Sequence, residues 1–351
     1  MRIHPFPPVV YKTGHSVKIA PPYDVITQDD KKRLLSLDPH NIVRIILGRT
    51  GPAEPYARAG RLFETWKREG QLVSLKKEGI FLLRQKYEGG ERTGFLFSLE
   101  LNSKTPGEVL PHERTYRKFR EDRYLLIKTL GAEFSPVFLL YRGAGPEGKL
   151  KSEPLFSYRM PEHSGEVRGI FDREEIAKVQ AFFSKKRLYI ADGHHRFAVA
   201  RRLFMENPRW KRVYVFAASL EGETINPTHL VISSKYWPLI ENLFVWGAFP
   251  SFDVSLVRDG MIVRGRVKRK GELAVDLIDK MKKKLSPEEI FYTHRREEVP
   301  VRAVKGKLGL LLPPLDKKIF VRRVESGRVF PQKTTYFFPK IPSGILIHPL
   351  E

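Results

Sequence analysis

"YIADGHHRFAVARR", residues 189–202, is the stretch on which the reading of this chain turns. An apolar run closes on Asp192-Gly193, and two histidines and an arginine then open a segment with helical periodicity. Gly193 lets the backbone turn sharply out of a strand. The residues after it supply a first helical turn, whose free N–H groups and dipole favour an anion. Arg196 adds an always-charged planar fork suited to phosphate oxygens. His194 and His195 can donate to the same oxygens. Asp192 has the wrong sign for a phosphate, but it can hold a metal ion, orient a histidine or accept a substrate proton. An ordinary helix start needs only one polar cap. The pattern predicts a phosphate-binding strand–turn–helix.

Rival chemistries fit less well. Adjacent histidines on a helix point about 100° apart, unlike the i, i+4 pair of a zinc protease. The chain has no cysteine, so disulfides and thiolate metal sites are excluded. Neither zinc nor haem is expected. "GAGPEGKL" (143–150) imitates a phosphate-binding P-loop, but Leu150 stands where a Ser or Thr must meet magnesium.

Working outward, a helix is expected around 173–184 and a strand at "RVYVFAASL" (212–220), giving strand–helix–strand about the motif. Upstream, "GIFLLRQKY" (79–87) and "RTGFLFSLEL" (92–101) read as strands joined by a Gly-Gly hairpin. Residues 54–73 carry Tyr56, Ala59, Leu62, Phe63 and Trp66 at helical spacing, a core-facing stripe. A charged helix spans 113–131, and "SPVFLLYR" (135–142) is a further strand. Near the start, Pro21 and Pro22 fix a bend, and Thr27 caps a helix opened by Asp29 and Asp30. After about 235 the chain mixes strands with basic helices.

The chain has 351 residues, 41% hydrophobic and 29% charged, which fits a folded protein of two or three lobes. No apolar run reaches membrane-spanning length, and the proline-rich start does not suit a signal peptide, so a cytoplasmic protein is expected. The net charge of +23 leaves two readings open. One is a polyanion partner, with bases outnumbering acids about two to one over 258–333. The other is a heat-adapted composition.

Five segments in order, "PPYDVI" (21–26), "HERTYRKFREDRYLLIKTLGAEFSPVFLLY" (112–141), "YIADGHHR" (189–196), "NPTHLV" (226–231) and "TYFFPKIPSGILI" (335–347), resemble the family catalogued as domain of unknown function 1015. More distantly, strand–Asp-Gly-His-His-Arg–helix is similar to the phosphate-binding signature of the ParB/sulfiredoxin-like superfamily. Its members place nucleotide phosphates on that helix's N-terminus. They include CTP-using partitioning proteins, ATP-using sulfiredoxins and kinases that phosphorylate free L-serine. Sulfiredoxin chemistry needs a cysteine where His194 stands, and no clear helix-turn-helix follows the motif, so the small-molecule kinase is the relative that fits.

The resemblance implies an α+β fold: a ParB/sulfiredoxin-like nucleotide-binding core, with inserted strands and a basic mixed C-terminal lobe. The expected division is 1–145 for an N-terminal α/β part with the hairpin and charged helix, 146–234 for the core carrying the motif, and 235–351 for a basic lobe returning to the cleft through "IPSG". It further implies a kinase using ATP or ADP with Mg²⁺ on a small hydroxylated metabolite such as free L-serine. Asp192, Gly193, His194, His195 and Arg196 then clamp the phosphates, and Asp24 or Glu113 is the catalytic base or magnesium ligand. His112, Thr115, Arg117, Thr228, His229, Ser343 and Gly344 are candidate cleft residues. The alternatives are a DNA-associated, ParB-like nucleotide-binding regulator without kinase activity, and an i, i+4 pairing of Glu113 with Arg117 that is merely structural.

Overall fold

The computed structural model describes residues 1–48, 56–113 and 117–350, with the side chains of 117–120 left aside. The chain divides into two compact units. The first comprises Met1–Pro111, Thr115–Glu223 and Pro339–Glu351, and the second His112–Arg114 and Thr224–Phe338. The sheet-bearing first unit is therefore discontinuous in sequence.

Its principal elements begin with β1 (Ile3–His4), α1 (Gln28–Leu37), α2 (Ala57–Arg68), β2 (Ile80–Tyr87) and β3 (Gly90–Glu100). There follow β4 (Val109–Leu110), α3 (Arg117–Leu130), β5 (Val137–Tyr141), β6 (Glu153–Arg159) and β7 (His163–Ile170). The motif region is α4 (Arg173–Ser184), β8 (Leu188–Asp192), α5 (His194–Glu206) and β9 (Arg212–Ser219). The strands form one nine-stranded mixed sheet in the order β4-β8-β5-β9-β3-β2-β7-β6, with β1 paired to β3. Only β4/β8 and β5/β9 run parallel; the other pairings are antiparallel.

Local chemistry accounts for the elements. Asp172 caps α4 by accepting from the N–H groups of Glu174 and Glu175 at 2.9 and 3.1 Å. Thr27 and Asp30 form a reciprocal capping box on α1. The β2–β3 hairpin turns at Glu88-Gly89, where Gly89 takes φ 88°, a two-residue loop of the kind glycine permits. One core packs Phe95, Phe97, Leu139, Ile190 and Val215 of the sheet against Val179 and Phe183 of α4 and Phe197 of α5. A second gathers Ala59, Phe63 and Trp66 of α2 with Leu126 of α3 and Ile347. The read helical stripe of α2 is thus core.

Strands β6 and β7 lie in a stretch that the sequence reading left without strands. Most of β6 is exposed or half-buried, so it lacks the apolar alternation that marks a core-facing strand.

The second unit is built on a six-stranded antiparallel sheet. Its strands are β10 (His229–Ser233), β11 (Phe244–Gly247), β12 (Val254–Arg258), β13 (Met261–Val267), β14 (Phe291–Thr293) and β15 (Lys307–Leu311), in the order β11-β13-β12-β15-β10-β14. Helix α6 (Ala274–Lys282) buries Leu277, Ile278 and Met281 in a core with Leu230, Ile232, Leu308 and Leu310. Among the described residues no helix is long and apolar enough to cross a membrane.

Candidate functional site

The motif sits where β8 leaves the sheet. Pairing of β8 with β5 shifts register between Ile190 and Asp192, which face Leu139 and Phe138. Such a bulge re-aims the side chains that follow it. Gly193 then adopts φ 85° and caps α5. The left-handed backbone angle favours glycine, and a Cβ there would crowd the Arg196 guanidinium carbon at 3.0 Å. Gly193 has no side chain with which to cap α5.

Arg196 is turned inward. Its guanidinium donates to Asp192 Oδ2 at 2.5 Å and to the Pro136 carbonyl, and its side chain is only 6% exposed. It therefore braces the turn from behind. His194 is buried and His195 half-buried on the same first turn.

A residue that sequence reasoning missed completes the constellation. Lys340 donates from Nζ to Asp192 Oδ1 at 2.5 Å, across 148 residues of chain. It arrives on the returning segment Pro339–Glu351, which is pinned at several points. Arg92 donates to the Pro339 carbonyl at 2.5 Å while paired with Glu223 at 3.0 Å. Ser343 and Ala20 exchange two backbone hydrogen bonds, at 2.7 and 3.2 Å. The Ser343 hydroxyl is within 2.6 Å of Ser135 Oγ, and the Gly344 N–H donates to the Phe134 carbonyl at 2.8 Å. Ser343 has no exposed surface, and the structure places Ser343 and Gly344 as a clasp tying the 20–21 bend to the segment before β5.

That bend carries Tyr23 and Asp24. Tyr23 lies over the buried Arg123 guanidinium, 4.1 Å from the ring centroid. Desolvation by the surrounding protein and the negative charge of Asp192 push the Asp24 carboxyl up, against the opposing pull of Arg196 and Lys340. Asp24 nonetheless remains open to solvent, so crowding raises it less than full burial would. Asp192 goes the other way. Desolvation works against its charge, but the cations of Lys340 and Arg196 win and hold it well below the usual carboxylate range.

His112, Glu113, Thr228 and His229 belong to the second unit. There His112 Nε2 is 2.7 Å from Thr335 Oγ1, and Glu113 forms a bridge with Phe330. Thr228 Oγ1 lies 3.4 Å from His294 Nδ1, and His229 Nδ1 accepts from the Leu312 N–H at 3.2 Å. Thr115 lies outside the described residues, as does the side chain of Arg117, which opens α3. Among the described residues no group of three or more His, Asp or Glu stands together as a metal cage.

One further cluster has the look of chemistry without the access. Ser98 Oγ is 2.6 Å from His348 Nε2, whose Nδ1 is 3.0 Å from Glu133 Oε2. All three are buried, and the same Glu133 oxygen accepts the Tyr214 N–H at 2.6 Å. With no surface for a substrate, this Ser–His–Glu chain is a rivet that holds the segment at His348 to the sheet.

The fold is thus a mixed α/β one, with Asp24 and Asp192 near the start of α5. The chain belongs to the family of proteins of unknown function DUF1015, whose model matches residues 3–299. No curated protein matches it. Among solved structures it is similar to C-terminally truncated SbnI from Staphylococcus aureus, with 14% identity over 69% of this chain and 82% of that one, TM-score 0.46. It is also similar to a free serine kinase in complex with AMP, with 16% identity over 71% and 92%, TM-score 0.41. A conserved hypothetical protein from Pyrococcus furiosus gives 17% identity over 72% and 95%, TM-score 0.39.

Proposed function

We propose that the first unit is a nucleotide-dependent kinase acting on the hydroxyl of a small metabolite, with free L-serine the leading acceptor and a ParB-like core about β8 and α5. The observation that carries this reading is the pair Asp24 and Asp192, two carboxylates at one helix mouth with opposite proton affinity. Environments that push two acids apart assign them different work. Asp24, raised and open to solvent, is suited to take the acceptor's proton. Asp192, held ionised, organises the cations beside it. The first-turn N–H groups of α5, with His194 and His195, receive the phosphates.

In the transfer, the acceptor oxygen bonds to the terminal phosphorus, the bond to the leaving nucleotide oxygen breaks, and the hydroxyl proton passes to Asp24. Magnesium would enter with the nucleotide. There it would neutralise phosphate charge; both Asp192 oxygens are already engaged by Lys340 and Arg196 and Asp24 serves as the base, so the nucleotide itself would carry it.

The test is thermal unfolding with ADP, ATP and CTP, each with Mg²⁺, followed by a phosphoryl-transfer assay over hydroxylated acceptors. A raised midpoint and a phosphorylated product support the reading, since a ligand bound only by the native state stabilises it. No shift with any nucleotide overturns it.

A second reading, a DNA-associated regulator, is favoured by the charge of the second unit. Residues 224–338 hold 22 Lys and Arg against 12 Asp and Glu. Arg264 and Arg266 lie over Phe252 and Phe249, at 5.1 and 5.4 Å from the ring centroids. Such a protein would bind duplex DNA with a steep loss of affinity as salt rises. Binding that is flat in salt sinks it.

A further inference from the structure

We infer that Lys340 is the site's mobile phosphate-binding cation, held on Asp192 until a nucleotide's terminal phosphates draw it away. The inference rests on the nucleotide-binding reading above and assigns a residue outside the 3–299 stretch that the family model matches.

Asp24 and Asp192 face Arg196 and Lys340, two acids against two cations. Incoming phosphates upset that balance and need positive charge. Arg196 is poorly placed to supply it: its fork is locked on Asp192 and the Pro136 carbonyl, and it folds back over Gly193. Swinging it out would unmake the turn that presents the helix mouth.

Lys340 differs in each respect. Its charge is a compact ammonium on four flexible methylenes. Its backbone stays where it is, because Arg92 grips the Pro339 carbonyl and Gln85 Nε2 donates to the Lys340 carbonyl at 3.4 Å. Its side chain, 15% exposed, keeps contact with solvent at the site's edge. Only the side chain has to move for a phosphate oxygen to take the place of the Asp192 oxygen. Asp192 keeps Arg196 and remains ionised throughout.

The experiment measures affinities of wild type, Lys340→Gln, Lys340→Met and Lys340→Arg for adenosine and for ADP with Mg²⁺ by calorimetry. ADP affinity is expected to fall roughly tenfold to a hundredfold in the Gln and Met variants, the worth of one charge-assisted hydrogen bond. Adenosine affinity is expected to stay level, and Arg to restore much of the loss. The Gln variant can still donate to Asp192, which guards against a failure to fold. Undiminished ADP binding in both neutral variants overturns the inference. So does an equal loss for adenosine and ADP, the mark of a merely structural lysine. A wild-type chain that binds neither ligand overturns the nucleotide reading itself, and this inference with it.

Discussion

Asp24 and Asp192, 168 positions apart in sequence, sit close enough that the charge of Asp192 raises the Asp24 carboxyl's affinity for a proton. Replacing Asp24 with Asn is expected to lower kcat by about 10²–10⁴-fold, the range for loss of a general base, with ADP affinity largely kept. In the wild type, kcat/KM should fall on the acid side at a pH above the ordinary carboxylate range, because the Asp24 carboxyl is raised. Full turnover in Asp24→Asn would remove it from the mechanism.

The same pair responds to Lys340. Its cation opposes protonation of both acids, so Lys340→Gln should move the acid limb of the pH–rate profile to higher pH. A limb that does not move means that Lys340 is electrically remote from the base.

Arg92 and Glu223 pair with both side chains buried, and the Arg92 guanidinium also lies over Phe138 at 4.6 Å. Arg92→Ala leaves a buried carboxylate without its cation and is expected to cost about 3–5 kcal/mol in urea unfolding. The double change Arg92→Met with Glu223→Leu should recover much of that, since an apolar pair leaves no orphaned charge.

Gly193→Ala tests the turn. The left-handed angle costs an L-residue about 1–2 kcal/mol, before the new methyl crowds the Arg196 guanidinium. A lower thermal midpoint together with weakened ADP binding is the expected result. Unchanged values of both would mean that the turn has an alternative geometry.

In the second unit, desolvation and then Arg296 depress His229 to about 4. Its neutral Nδ1 accepts the Leu312 N–H, a bond that protonation removes. The folded value lies below the unfolded one of about 6.5, so its contribution is whole above that pH and drains as pH falls toward 4. Melting scans across this window should show a falling midpoint, with a shallower slope in His229→Gln.

Much of the motif was legible because it is local. Glycine at a strand's end, a helix start without a capping side chain at Gly193 and the apolar strands on either side are all set by neighbours in sequence. The inward turn of Arg196 had a signal too, its i, i+4 spacing from Asp192, which the phosphate reading passed over. Lys340 had none, since its partner lies 148 residues away and "PKIPSG" carries no periodicity. Arg92 and Glu223 were hidden for the same reason: one reads as a charge at a hairpin, the other as loop. Ser343 looked like an accessible hydroxyl because loops usually are accessible, whereas here tertiary hydrogen bonds enclose it.

The route of the chain through the first unit has a consequence for its biogenesis. The strands around the motif leave the ribosome well before Pro339–Leu350, with the 115 residues 224–338 made in between. At about 5–20 residues per second, that interval is on the order of ten seconds. Throughout it Asp192 lacks Lys340, the Ser98–His348–Glu133 rivet is unmade, and the Arg92 guanidinium has no Pro339 carbonyl to grip. A nascent chain stalled short of that segment would carry the motif but not Lys340 beside it, so the constellation around Asp192 is complete only once residue 340 has been made.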